Sequence, residues 1–163
     1  MKRTLSIAIF AAILFGMLYV GPIPAARADE GAGCSLAGVA GAYGFTYTGL
    51  AVLPSSTVPV SSVGSFRTDA AGNFIGSESN NTGGNSVAET IQGTITVKHD
   101  CSGALVAKVY SGGMLVRTSY IHLQYENNAT EVLGIFEKVV LPDNSILPVV
   151  ITIDGKRIDR EGR

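Results

Sequence analysis

The sequence predicts an all-β protein: a single antiparallel meander of about eight strands closed into a barrel. Three observations predict it. Apolar and polar residues alternate with period two in run after run, turn residues interrupt those runs at short intervals, and helical periodicity is nearly absent. The runs are rich in Val, Ile, Thr and Tyr, which suit a pleated, half-buried surface. A meander of this kind must cover its edges, and closing on itself does so. A two-sheet sandwich is the alternative, because alternation looks the same in both.

Residues 1–28 stand apart from this pattern. Lys2 and Arg3 precede an apolar run over 5–20. Gly21-Pro22-Ile23-Pro24 then breaks it, and Ala26-Arg27-Ala28 offers a small-x-small cleavage site. The run falls short of the roughly 20 apolar residues a transmembrane helix needs. A signal peptide is therefore expected, with the mature chain secreted or periplasmic from Asp29 and without an integral membrane segment. Of the 12 Lys and Arg, Lys2, Arg3 and Arg27 leave with it, so nine basic residues face 13 acidic ones. That balance argues against nucleic acid or anionic lipid as a partner. About 135 residues remain, enough for one domain.

The elements follow in order. Residues 35–42 could form one helical turn, although their glycines argue against it. The first strand is read at 42–53, with Tyr43, Phe45 and Tyr47 on one face, and Pro54-Ser55-Ser56 ends it. The second is read at 58–68. Asp69-Ala70-Ala71-Gly72-Asn73 turns into the third at 74–79. Asn80-Asn81-Thr82-Gly83-Gly84-Asn85 reads as a polar loop. In the strand at 88–99, Ile91, Ile95 and Val97 interleave with Thr94, Thr96 and Lys98. Asp100-Cys101-Ser102-Gly103 has the chemistry of a tight turn, and a strand at 104–110 follows, up to Ser111-Gly112-Gly113. The strand at 114–126 alternates cleanly. Asn127-Asn128-Ala129 then turns into 130–141, and Pro142-Asp143-Asn144-Ser145 into 146–153. The barrel domain is thus expected over 29–153. Seven of the ten residues at 154–163 are charged, so a solvated or frayed end is expected from Gly155.

Cys34 and Cys101 are the only cysteines, and in an oxidising compartment an isolated pair reads as a disulfide. The competing reading makes Cys34 an acylated lipoprotein residue. Gly31-Ala32-Gly33 lacks the large aliphatic residue that reading expects, and acylation would orphan Cys101. Two cysteines and two distant histidines have no zinc-ligand spacing.

Gly41-Ala42-Tyr43-Gly44-Phe45 and the segment from Gly64 through Arg67-Thr68-Asp69 to Asn73 have a recognisable look. So does Gly93-Thr94-Ile95-Thr96-Val97 leading to Asp100-Cys101-Ser102-Gly103. Together they resemble a group of small secreted bacterial proteins of unassigned function, with a Gly-Tyr-Gly-Phe first strand and an Asp-Cys-x-Gly turn. The resemblance spans roughly the first 75 residues after the signal peptide. It implies a single β-barrel of the broad calycin or allene-oxide-cyclase-like kind, and no functional residue.

No motif specifies a reaction. Ser35, Ser55 and Ser56 lie in no nucleophile-elbow setting. Asp143-Asn144-Ser145 is too short for a calcium loop, and Gly83-Gly84 is followed by no phosphate-binding lysine helix. Asn80-Asn81-Thr82 and Asn128-Ala129-Thr130 fit the glycosylation sequon and fall in predicted turns. Glu137 with Lys138, and His99 with Asp100, point to opposite faces and make poor dyads.

Tyr120, His122, Gln124 and Glu126 share one face of a strand. Facing inward, they would line a cavity, with Tyr120, His122 and Glu126 as candidates for proton exchange or ligand contact. The competing reading turns Ile121, Leu123 and Tyr125 inward, which is how alternating strands normally pack. Arg117 has their parity and should point away from His122.

The leading functional expectation is a non-enzymatic exported barrel that binds a small apolar ligand or an extracellular partner, with no cofactor. The alternatives are a cofactor-free barrel cyclase or isomerase and a cell-envelope structural or surface-interaction protein. Only analogy of fold ranks them.

Overall fold

The structure, a computed structural model, describes residues 34–158. The expected signal peptide at 1–28 and the end of the chain from 159 lie outside the described residues. One short helix, α1 (Leu36–Val39), leads into β1 (Gly41–Leu53), β2 (Ser56–Thr68), β3 (Asn73–Thr82), β4 (Asn85–Val97), β5 (Ser102–Ser111), β6 (Met114–Glu126) and β7 (Glu131–Val140). A two-residue strand, β8 (Ile146–Leu147), lies beside β7, and β9 (Val149–Arg157) comes last. Each strand from β1 to β7 pairs antiparallel with the next, and β9 pairs with both β7 and β1. The result is a closed eight-stranded meander barrel with β8 as an extra strand, as the alternation predicts. The sandwich alternative does not form.

Several boundaries differ from expectation, and three of the differences have a clear physical reason. The helical turn does form, because Ser35 caps it: its Oγ accepts from the Gly38 N–H at 3.1 Å. The polar stretch 80–85 is not a loop but two strand ends around Gly83-Gly84. Its asparagines make cross-strand bonds, Asn81 Nδ2 donating to Ser86 Oγ at 2.8 Å. That also places the sequon residue Asn80 inside the barrel rather than in a turn. Gly155 belongs to a strand rather than to the expected frayed end. Strand β9 continues to Arg157, whose N–H donates to the Thr130 carbonyl at 2.8 Å. Its guanidinium donates to the Gly38 carbonyl at 3.1 Å and to that of Ala40.

Glycine explains how a narrow barrel accommodates its aromatic interior. Phe45, Phe66 and Phe74 stand directly opposite Gly64, Gly76 and Gly93 on neighbouring strands, so each ring lies over a position with no side chain. A Cβ at Gly93 would stand 1.9 Å from the Val106 carbonyl oxygen and 3.1 Å from the Phe74 ring. Gly93→Ala is therefore expected to destabilise the barrel by about 1–3 kcal/mol in urea unfolding. An unchanged midpoint would mean that the two strands separate there without cost.

The two ends of the barrel are unlike. At one, α1 covers the interior with the fully buried Val39, and the Cys34–Cys101 disulfide ties its start to the turn between β4 and β5. Tyr43 adds a bond from its hydroxyl to the Ala129 carbonyl at 2.8 Å. Cys101 has a left-handed backbone (φ 64°), stabilised by Asp100 Oδ1 accepting from the Ser102 N–H and hydroxyl at 3.0 and 2.6 Å. Among the described residues the opposite end has no such cover. Its connections (54–55, 83–84, 112–113 and 141–145) contain one charged residue, Asp143. Leu53, Met114 and Ile146 are exposed around the rim.

Candidate ligand-binding site

The interior is apolar at the covered end and polar midway along the barrel. Inward positions alternate along each strand: Phe74, Glu78 and Asn80 on β3, Glu89, Ile91 and Ile95 on β4, and Ser119, Ile121, Leu123 and Tyr125 on β6. Register sets Glu78 directly opposite Glu89, two carboxylates on one inward face. Left alone, like charges opposed in this way destabilise a sheet.

Arg117 compensates them. Its Nη1 and Nη2 donate to the two oxygens of Glu89 at 2.8 and 2.7 Å, a bidentate pair. Nη2 also reaches Glu78 Oε1 at 2.8 Å and the Tyr47 hydroxyl at 3.1 Å. Ser62 Oγ donates to the other Glu78 oxygen at 2.8 Å. Asn80 Nδ2 donates to the Tyr47 hydroxyl at 2.7 Å, and Thr82 Oγ1 donates to Asn80 Oδ1 at 2.9 Å. Four strands thus converge on one arginine.

The electrostatics follow from burial. Loss of water pushes the Glu78 carboxyl above its ordinary value, and Arg117 and the Ser62 hydroxyl only partly oppose that. Burial, helped by the negative charge of Glu78, raises the Tyr47 phenol far above its usual range, so it stays protonated. For Arg117, burial acts to lower the value. The hydrogen bond to Glu89 and the neighbouring charges outweigh it and carry the guanidinium above its ordinary value.

This cluster divides the interior into two spaces. Between it and the uncovered end lies an open cup of about 210 Å³. Ala51, Val60, Phe136, Val139, Leu147 and Ile151 supply much of its apolar wall, while Tyr47, Asn80, Thr82 and Arg117 are the polar groups it meets. Toward the covered end lies a cavity of about 30 Å³ bounded by aromatic and aliphatic side chains, large enough for a water or two. Ser119 lines it, and its buried Oγ has no hydrogen-bond partner. Among the described residues no group of three or more His, Cys, Asp and Glu could hold a metal ion.

The candidates Tyr120, His122 and Glu126 lie elsewhere, and the competing reading of their strand holds. His122 and Glu126 are exposed on the outer wall, and Tyr120 shares their outward parity with Lys138 Nζ 4.2 Å from its ring centre. The physical reason is the competition foreseen along this strand: Ile121, Leu123 and Tyr125 are buried, so the even-numbered face meets water. Cys34 and Cys101 do form the expected disulfide. The inward cluster of Tyr47, Ser62, Glu78, Asn80, Glu89 and Arg117 was not foreseen as a site. Its signal was present in parity, since Glu89 has the parity of Ile91 and Ile95, and Arg117 that of Ile121.

No protein-family model matches the sequence, and no curated protein matches it. Among solved structures the chain is similar to the S-type phycobiliprotein lyase CPES from Guillardia theta. Sequence identity is 6%, the TM-score is 0.46, and the match covers 77% of this chain and 92% of that one.

Proposed function

We propose that this chain is an exported binding protein for a small apolar molecule, held in the cup at the uncovered end of the barrel. One observation carries the reading: an open concavity of about 210 Å³ with a largely aliphatic wall and a few convergent polar groups. A cavity of roughly 150 Å³ lined by aliphatic residues already takes up benzene. A single ring with a short substituent therefore suits this space. Export is supported by the signal-like residues 1–28 and by the disulfide, which persists in oxidising compartments. The cyclase or isomerase alternative has less support, because Tyr120, His122 and Glu126 do not line the cup.

Native mass spectrometry of protein purified from its own host is expected to show a bound small molecule. Ala51→Phe fills the cup from its wall and is expected to abolish that added mass while leaving the melting temperature within a few degrees. Retention of the same adduct by a folded Ala51→Phe protein would move the binding site out of the cup.

A further inference from the structure

The polar groups of the cup carry a selectivity that size and apolarity do not. This inference rests on the cup being a binding site, and it concerns which chemical head the ligand presents there. Among the described residues Arg117 is the one charged side chain lining the cup, and neither Glu78 nor Glu89 lines it. Yet the charge of Arg117 is already matched by a bidentate bond to Glu89 and a further bond to Glu78. One guanidinium faces two carboxyl groups at hydrogen-bond distance, so its charge is already matched within the cluster. An anion entering the cup meets no net positive charge to offset its loss of water. An ammonium group would face a guanidinium with no carboxylate in reach.

Hydrogen-bonding capacity nevertheless remains. None of the bonds from Arg117 uses its Nε–H, and only one of the two Nη1–H groups is engaged. Beside it, Asn80 Oδ1 accepts one bond from Thr82 and has a second lone pair. The floor therefore offers a charge-assisted donor next to a neutral acceptor, and no uncompensated charge.

We infer that the cup selects a neutral molecule whose apolar body carries a hydrogen-bond-accepting oxygen, a carbonyl above all, seated on the spare N–H groups of Arg117. A hydrogen bond to a charged donor distinguishes such a ligand from the matching hydrocarbon, and the saturated ion cluster distinguishes it from acids and amines.

Four single-ring probes of similar size separate these terms: ethylbenzene, acetophenone, benzenesulfonate and benzylammonium. The chain has no tryptophan, so binding is followed by protein-observed NMR, with shifts read at Tyr47, Asn80 and Arg117. Acetophenone is expected to bind about tenfold more tightly than ethylbenzene, and both ions at least about tenfold more weakly than acetophenone. Glu78→Gln/Glu89→Gln unmasks the guanidinium and is expected to shift the ratio of benzenesulfonate to acetophenone affinity at least about tenfold toward the anion. Should that variant not fold, the four-probe order in the parent protein still decides. Ethylbenzene equal to acetophenone, or benzenesulfonate the tightest in the parent, overturns the selectivity while leaving the cup as a site. Failure of all four probes to shift cup residues overturns the cup, and the selectivity with it.

Discussion

Arg117→Met is expected to lower folding stability by about 3–5 kcal/mol near neutral pH, the range seen when one partner of a buried ion cluster is removed. The variant keeps most of the side-chain volume and deletes the guanidinium. Glu78 and Glu89 are then opposed on adjacent strands without a cation, and the Tyr47 hydroxyl loses one of its two donors. The pH dependence has a definite sign. Glu78 titrates above its ordinary value in the folded barrel, and Arg117 is the largest influence holding it down. A carboxyl shifted upward on folding contributes stability that is complete below its unfolded pKa and is lost as pH rises through the folded one. Deleting Arg117 enlarges the upward shift, so the deficit should shrink on acidification. Urea unfolding at about pH 7.5 and about pH 5 measures both effects. A deficit under about 1 kcal/mol, or one unchanged by acid, would mean that water already solvates the carboxylates. Replacing all three groups together (Arg117→Met, Glu78→Leu, Glu89→Leu) should restore much of the loss, because no orphaned charge remains.

Removing the disulfide should cost a comparable amount. Cys34 and Cys101 lie 67 residues apart, and chain entropy assigns closure of such a loop about 4 kcal/mol. Against a total of about 5–15 kcal/mol for a typical domain, that is a large share. A Cys34→Ser/Cys101→Ser variant, or the parent under reductant, is expected to melt about 10–20 °C lower. The loss has a local address as well. Leu36–Val39 is a single helical turn directly after Cys34, and its buried Val39 covers the interior. The reduced protein should therefore gain rapid amide exchange at Val39 and Ala40 before the strands open. A melting temperature within about 3 °C of the parent would show that the loop is held by packing alone.

Strand content and the order of hairpins were legible because they rest on period two and turn chemistry, both local in sequence. The run at 114–126 was read to the residue, and a turn was read at Asp100-Cys101, although Ser102 and Gly103 already belong to β5. The stretch 80–85 was misread because asparagine and glycine mark loops by composition, whereas Asn80 and Asn81 bond across strands. The site was hidden for a related reason. Glu78, Glu89 and Arg117 are far apart in sequence, and each looks like an ordinary solvated strand residue. Only the barrel register brings them within hydrogen-bond distance. Parity alone would have turned Glu89 inward with Ile91 and Arg117 inward with Ile121. It gives no hint that two acids and one base compensate one another, and hence that burying them is tolerable.

The junction of β9 with β1 also bears on the order of assembly. Every other wall contact except β7 with β9 joins consecutive strands through a short hairpin, so most of the sheet can zip up locally. The seam instead joins residues about a hundred positions apart, from Tyr43 with Arg157 to Ala51 with Val149. Until those last residues arrive, both β1 and β7 keep a bare flank able to recruit strands from another molecule. Arg157 is the latch that ends this exposure, its guanidinium reaching the carbonyls of Gly38 and Ala40 at the head of the first strand.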